Sequence, residues 1–340
     1  MRVVFGAGRR SNAAAELERL GARRALLLST PEQEGDVRAL AETLGPRAAG
    51  LFAGAAMHTP TDVTERAMTM LGEVRADAVL AMGGGSTIGL AKAIALRTDL
   101  AQLAIPTTFA GSEMTPIIGQ TEAGRKTTQT TRKVLPETVI YDADLVRTLP
   151  AAVAGPSAMN AIAHAVEALY AEDGSPVISL MAEEAIRAIG GALPAIMERQ
   201  DPAALEQALY GAWLAGACLG SVGMAIHHKI CHVLGGSFGL PHAPIHCLMI
   251  PYSAHYNAEA APRAMDRVAR ALGADDAPAA LHDLMRLANA QTRLSDFGLT
   301  EGDLDEAAAI AVEQPYWNPR PVTRGGVREM LHAAWEGRAP

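Results

Sequence analysis

Two pairs of polar side chains, each pair four residues apart, stand out in helix-forming stretches of the chain. Asn160 and His164 lie in MNAIAHAVEALYA, His228 and His232 lie in HHKICHVLGG, and His242 follows in the short loop Leu240-Pro241-His242. Residues four apart on an α-helix project from one face, so each pair presents its two groups together. Five amide or imidazole groups gathered in one pocket can hold a divalent metal, or they can donate and accept protons near neutral pH. His58, His282 and His332 have no such partners and read as structural.

A second constellation is built from glycine and hydroxyl residues. Gly83-Gly84-Gly85-Ser86-Thr87 follows the apolar run DAVLAM and opens the helical run Ile88 to Leu96. Glycines let the backbone approach a diphosphate, Ser86 and Thr87 can cap the helix and donate to phosphate oxygens, and the helix N-terminus supplies oriented N–H groups. The pattern is a phosphate cradle distinct from the GxGxxG fingerprint. Ile105-Pro106-Thr107-Thr108 ends another strand run, and its two threonines can hydrogen-bond a ribose or phosphate. Gly6-Ala7-Gly8 reads as a turn, since Ser11 stands where a helix glycine would be expected. In dinucleotide folds an acidic residue after a strand holds the adenosine ribose; here the second strand run ends Ser29-Thr30-Pro31, which leaves NADH and NADPH both open.

These groups must be positioned by two kinds of framework. Over the first 105 residues, runs such as RALLLST (24–30) and DAVLAM (77–82) alternate with amphipathic helical segments. Short runs that are apolar on both faces are the mark of parallel strands covered on both sides. Ser11 is the expected cap of the first helical segment and Thr61 or Asp62 that of the segment running to about Val74. The expectation is a right-handed βαβ succession whose ligand site lies at the carboxyl ends of the strands. From about Leu149 the strand signals fade and Ala-rich helical segments take over, while residues 107–145 read as loops and a β-hairpin. The fold class is therefore an α/β dinucleotide-binding domain with a parallel sheet (1–150) followed by an all-helical catalytic domain (151–340), and two lobes imply a cleft.

Bulk properties narrow the function. A formal net charge of −8 over 340 residues argues against nucleic acid and anionic membrane as partners. No apolar run reaches about 18 residues and the N-terminus lacks the h-region of a signal peptide, so a cytoplasmic location is expected. Cys218, Cys231 and Cys247 lack metal-site or disulfide spacing and read as buried free thiols.

Taken together, GGGST, IPTT, the Asn160/His164 and His228/His232 pairs and the Pro-His loop resemble the iron-containing alcohol dehydrogenases across nearly the whole chain. In that superfamily an Asp and a His four apart on one helix join two later histidines around a divalent metal; by motif position these fall on Asn160, His164, His228 and His242, with His232 as a further active-site histidine. The departure is Asn160, whose neutral amide is a poorer ligand for a hard cation than a carboxylate. FGAG, LLLSTPEQ, AMHTP, PTTFAGSEMTPI, GRKTT, HHKICHVLGGSFGLPH and NPRPVT resemble, in order, the maleylacetate reductase subfamily. That resemblance implies NAD(P)H-dependent reduction of the C=C bond of maleylacetate to 3-oxoadipate in aromatic-compound degradation, no catalytic metal, a small unsaturated keto-acid as the only partner, and a homodimer. It places His164, His228, His232 and His242 in catalysis, Gly83, Gly84, Gly85, Ser86, Thr87, Thr107 and Thr108 at the cofactor, and Asn160, Lys229, Lys126 and Arg320 at the substrate. Gly239, Pro244, Ile245 and Cys247 depart from the more polar residues expected around the Pro-His loop, which points to a related unsaturated acid as an alternative substrate. Other readings are a metal-dependent alcohol or aldehyde dehydrogenase on the same fold, a dehydroquinate-synthase-like cyclase, and a non-catalytic dinucleotide sensor.

Overall fold

The computed structural model describes residues 1–122, 125–199, 201–288 and 291–340, excluding the side chains of residues 125 and 126. The chain divides into two compact units, Met1–Leu149 and Pro150–Pro340.

Unit 1 runs β1 (Arg2–Phe5), α1 (Ala13–Arg19), β2 (Ala25–Leu28), α2 (Glu34–Leu44), β3 (Ala48–Phe52), α3 (Thr61–Glu73), β4 (Ala78–Gly83), α4 (Gly85–Thr98), β5 (Ala101–Pro106), β6 (Ile117–Glu122), β7 (Arg125–Thr130) and β8 (Thr138–Tyr141). Six strands form one sheet in the order β1-β8-β5-β4-β2-β3, every neighbouring pair parallel, and β6 and β7 make the antiparallel hairpin. β2, β4 and β8 are buried along their whole lengths, which is why their sequences are apolar without alternation. Leu17, Leu27, Leu80, Leu103 and Ile140 pack in one core beside the sheet, and each such side chain contributes about 1.5–3 kcal/mol by leaving water.

The topology fixes where a ligand can sit. From β2 the chain moves outward to β3, whereas from β4 it moves the other way to β5, so connections leave the adjacent strands β2 and β4 in opposite directions. This switch point opens a crevice at the carboxyl ends of β2 and β4. Gly83 and Pro106 are register partners at the ends of β4 and β5, which brings the cradle and the Thr107-Thr108 segment to the same edge.

The expected caps are not those used. Asn12, Pro60 and Gly84 occupy the N-cap positions of α1, α3 and α4, and none makes a side-chain cap hydrogen bond. Ser11 instead donates to Gly8 O at 2.8 Å within the Gly6–Gly8 turn, where Gly8 takes φ +70°.

Unit 2 consists of α5 (Ala151–Leu169), α6 (Pro176–Arg199), α7 (Pro202–Leu219), α8 (Ile226–Phe238), α9 (His242–Asn257), α10 (Pro262–Leu272), α11 (Ala277–Ala288), α12 (Glu301–Val312) and α13 (Arg324–Glu336). α5 is buried from Ala154 through Ala168, and its alanines let α6, α7 and α9 pack closely around it. α8, α9, α12 and α13 enclose a second core of Ile230, Leu234, Leu248, Met249, Leu304 and Leu331. The fold class is thus an α/β unit with a parallel sheet followed by an all-helical unit.

Candidate active site

At the edge of unit 1 the cradle is made largely by missing side chains. A Cβ on Gly83 would lie 2.3 Å from Thr87 Oγ1, and one on Gly84 would lie 3.0 Å from Thr108 Cγ2, whereas one on Gly85 would meet nothing within 4 Å. Gly83 therefore makes room for the packed Thr87 side chain, while Gly85 opens the first turn of α4 outward. Thr87 N donates to Gly84 O at 3.1 Å, while the N–H groups of Gly85 and Ser86, ahead of it in the turn, are of the kind that helix geometry leaves open and that suits an anion. Thr107 N donates to Gly83 O at 3.2 Å and Gln33 Nε2 donates to Thr107 Oγ1 at 2.7 Å, so Gly83, Gly84, Thr107 and Thr108 are brought together with Gln33 as an added member. Ser86 is half-buried beside them, but Thr87 is wholly buried, and its hydroxyl, like that of Ser29 at the end of β2, has no hydrogen-bond partner among the described residues. The helix start, the glycine vacancies and the polar atoms at this edge fit a dinucleotide.

Below this edge, α4 carries a wholly buried cation. Lys92 Nζ donates to Ser112 O, Thr115 O, Thr115 Oγ1 and Ile117 O at 2.6–2.9 Å, tying the 112–117 segment to the helix that begins with the cradle. Burial lowers the Lys92 pKa to about 7, partly offset by Glu113, whose carboxyl is raised by its own burial and accepts from Tyr141 Oη at 2.7 Å.

Unit 2 gathers the histidines. Ser157, Asn160, His164 and Glu167 follow one another at intervals of three, four and three on α5, which makes one polar stripe on a buried helix. Asn160 Nδ2 lies 3.2 Å from His164 Nε2, His164 Nδ1 lies 2.9 Å from His228 Nε2, and His228 Nδ1 lies 2.6 Å from Glu167 Oε2. A carboxylate accepts only, so the hydrogen of neutral His228 is on Nδ1. Its Nε2 then accepts from His164 Nδ1, and His164 Nε2 accepts from the Asn160 amide. The four residues form a chain of donors directed from Asn160 to Glu167. Glu167 also accepts from the backbone N–H groups of Ala225, His227 and His228, which satisfies the open donors at the start of α8 and aims its dipole at the carboxylate.

A second chain lies beside the first. His246 Nδ1 and His227 Nε2 are 3.0 Å apart, and His227 Nδ1 is 3.0 Å from Ser253 Oγ. Both rings are fully buried, and desolvation first, neighbouring histidines second, holds their pKa values well below the usual histidine range. His246 has its ring centroid 4.2 Å from that of His242 and 4.9 Å from that of His228. His232 and His242 are exposed in the isolated chain, and His232 stands edge-on to His228 at 6.1 Å.

The expected substrate residues have different surroundings. Asn160 is in the buried chain, and Lys229 is half-buried with Nζ 5.7 Å from the centroid of the Tyr316 ring. Arg320 lies over the Tyr256 ring at 4.3 Å and donates to Tyr256 O at 3.1 Å, at the carboxyl end of α9. The Lys126 side chain lies outside the described residues. Glu167, His227, His246, Ser253 and Gln33 escape the sequence reading, although Glu167 is three residues after His164 and His246 four after His242, spacings of the same kind as those that marked the known pairs. Cys218, Cys231 and Cys247 are buried free thiols, with burial pushing Cys218 up to about 12 and the other two also upward.

Residues 1–143 match the iron-containing alcohol dehydrogenase family, and residues 155–335 match the C-terminal part of the Fe-containing alcohol dehydrogenase family. The chain belongs to this family. It is similar to the maleylacetate reductase of a Rhizobium species (52% identity, covering 100% of this chain and 97% of that protein) and to maleylacetate reductase 1 of Rhodococcus opacus (50%, covering 100% and 95%). The crystal structure of maleylacetate reductase from Agrobacterium tumefaciens superposes with a TM-score of 0.97 at 51% identity, covering 100% of this chain and 97% of that one.

The family's name implies iron, and the side chains do not fit it. Asn160 supplies no carboxylate and turns its amide nitrogen toward His164. Among the described residues, the three histidines with one ring nitrogen each within 4.8 Å of the others are His227, His228 and His246, not His164, His228 and His242.

Proposed function

We propose that this oxidoreductase uses NADH or NADPH to reduce the carbon–carbon double bond of maleylacetate, giving 3-oxoadipate in the degradation of aromatic compounds. The observation that carries the reading is the directed chain Asn160-His164-His228-Glu167, standing where the family would hold a metal, in a chain half-identical throughout its length to maleylacetate reductases. Gly84, Gly85, Ser86, Thr107 and Thr108 would hold the dinucleotide, whose nicotinamide would supply a hydride to the carbon β to the ketone.

The side chains of unit 2 handle the charge and the proton that follow. Hydride addition leaves an enolate, whose oxygen needs donors oriented beforehand. His232, edge-on to His228, and His242, against the His246 ring, are both exposed and provide them, and one delivers the proton that completes the reduction at the carbon α to the ketone. His228, fixed from behind by Glu167 and from the side by His164, holds the edge-on His232 ring in place. Lys229, next in sequence to His228, pairs with a substrate carboxylate, whereas Arg320 acts from the end of α9 by fixing its backbone. The reading carries with it a cytoplasmic homodimer; no helix among the described residues is long and apolar enough to cross a membrane.

The test is oxidation of NADH and of NADPH by chelator-stripped protein supplied with maleylacetate. Turnover without added metal is the expected result and ranks the two cofactors. Activity that returns only with iron or zinc selects the metal-dependent alcohol or aldehyde dehydrogenase instead, and turnover of a different unsaturated acid in preference to maleylacetate assigns the apolar Pro244 and Ile245 a part in specificity.

A further inference from the structure

We propose that His227, His228 and His246 form a binding site for one borderline divalent cation, of the Zn2+, Co2+ or Ni2+ class. One ring nitrogen from each lies within 4.8 Å of those of the other two, and all three side chains are buried. The set shares only His228 with the four residues that the family pattern assigns to its metal.

Two of the three rings are already held in the tautomer a metal requires. Glu167 keeps the hydrogen of His228 on Nδ1. Ser253 Oγ lies 3.1 Å from both Met249 O and Ile250 O, so its single hydrogen points to a backbone carbonyl and its lone pairs accept from His227 Nδ1. Both rings therefore present Nε2 lone pairs. Imidazoles fixed through their second nitrogen by a carboxylate or hydroxyl are the usual arrangement around a bound metal.

His246 gives the independent sign of a ligand. Its Nε2 is buried and has no hydrogen-bond partner among the described residues, while its Nδ1 sits 3.0 Å from His227 Nε2. If the hydrogen is on Nδ1, Nε2 is a bare buried lone pair. If it is on Nε2, two lone pairs face each other across 3.0 Å, an arrangement that a shared cation relieves. Nitrogens on a tetrahedral zinc with bonds of about 2.0–2.1 Å stand roughly 3.3 Å apart, so with the His246 hydrogen on Nε2, His227 Nε2 and His246 Nδ1, already 3.0 Å apart, need little movement to share an ion. His228 Nε2 joins them by releasing the hydrogen bond from His164. Three neutral imidazoles without a carboxylate favour borderline metals over Mg2+ or Ca2+.

Occupancy has a functional sign, and this consequence rests on the proposed role of His228. An ion that takes Nε2 of His228 pulls the ring away from His164 and from its position beside His232. Divalent metal then lowers turnover, the opposite of its effect in an iron-dependent dehydrogenase.

The experiment is titration of chelator-stripped protein with Co2+, followed by calorimetry and visible absorption, with Zn2+ as competitor. One ion per chain is expected. His246→Ala and His227→Gln should each weaken binding at least about tenfold, while Asn160→Ala and His242→Ala should remain within about threefold. Absence of saturable binding overturns the site, as does loss of binding in Asn160→Ala or His242→Ala with His246→Ala unaffected. Should the His246 and His227 variants not fold, anomalous scattering at the zinc edge from soaked crystals of the unaltered protein decides: a peak between His227 and His246 supports the site, and one between His164 and His242 overturns it. Turnover measured in parallel separates the two claims. Binding without inhibition keeps the site and removes His228 from catalysis, whereas inhibition that persists undiminished in His246→Ala overturns the site as its cause.

Discussion

The edge of the sheet in unit 1 and the histidine rows of unit 2 are both polar sites built into apolar frameworks, and they are made of opposite materials. At the sheet edge the backbone makes the site: glycines clear the space, a helix start supplies N–H groups, and the nearest side chains only line it. In unit 2 side chains carried on helices make the row, with each hydrogen placed by the next residue along the chain from Asn160 to Glu167, and the backbone enters only where the start of α8 rests on Glu167. A backbone site should therefore fail through added volume, and a side-chain site through a changed donor or acceptor of unchanged volume.

The largest effect expected on this contrast is that of Glu167→Gln. Glu167 divides its donors between two oxygens, with His227 N on Oε1 and Ala225 N, His228 N and His228 Nδ1 on Oε2. The amide keeps the shape but has one oxygen, so its nitrogen must face donors in one of the two places, and the carboxylate charge that fixes the His228 hydrogen is gone. Loss of a buried charged hydrogen bond costs about 1.5–3 kcal/mol, and turnover should fall on the order of tenfold or more as the His228 tautomer is released. A merely structural role predicts lower stability alone. Nitrogen-15 shifts of the His228 ring distinguish the two, since a positioning role moves them and a structural one does not. Glu167→Asp, which retains the acceptor, should restore part of the activity.

Gly83→Ala is the matching test of the backbone site. Its Cβ would meet Thr87 Oγ1 at 2.3 Å, Thr87 Cβ at 2.7 Å and Gln33 Oε1 at 2.9 Å. Thr87 is β-branched and buried in the first turn of α4, so the helix start must shift, at about 1–3 kcal/mol. The expected outcome is an NADH KM raised about tenfold with a smaller change in kcat; an unchanged KM would separate the cradle from the cofactor.

How far each site could be read from sequence follows from the same difference. A backbone site leaves local marks: apolar runs without alternation signalled β2 and β4, and glycines at a strand-to-helix junction signalled the cradle. The Asn160/His164 pair was legible because helical spacing is local too. What was not legible depends on packing between segments distant in sequence. Glu167 looks like an ordinary surface acid of an amphipathic helix, and it is identified only by the α8 start that rests on it. His227 points about 100° around the helix from His228, and α9 is what brings His246 to it. Lys92 in GLAKAIAL reads as a solvated charge until the 112–117 segment folds its carbonyls around it. The caps misread at Ser11, Thr61 and Ser86 have a local cause, since Asn12, Pro60 and Gly84 already hold the N-cap positions.

Next in size is a pH effect confined to the side-chain site. Burial keeps His227 and His246 neutral in the folded protein, with pKa values below those of the unfolded chain. Below about pH 6.5 the unfolded chain takes up protons that the folded one refuses. Stability is thus fully present above that pH and is lost as pH falls, at about 1.4 kcal/mol per unit for each such histidine until its folded pKa is reached. Urea unfolding at pH 7.5, 6.5 and 5.5 should show this decline, and His246→Gln should lessen its slope, with His227 and the also lowered His282 keeping the rest. An unaltered slope in the variant would mean that the acid sensitivity arises elsewhere.

The smallest expected effect is the most discriminating for the cradle. A Cβ added to Gly85, one residue from Gly84 and two from Gly83, would have no atom within 4 Å, and Gly85 does not take a positive φ. In the first turn of α4 an alanine fits the helix better than glycine, so Gly85→Ala should leave stability within about 0.5 kcal/mol of the parent or raise it slightly. Its effect on the cofactor then isolates one variable, the distance at which a phosphate approaches the N–H groups. If the diphosphate lies directly on the turn, the methyl group stands in its path and the NADH KM rises with no loss of stability, a combination that Gly83→Ala cannot give because it moves the helix itself. If KM is unchanged, the phosphates approach from the side of Thr107 and Thr108, and the third glycine serves the turn instead of the ligand.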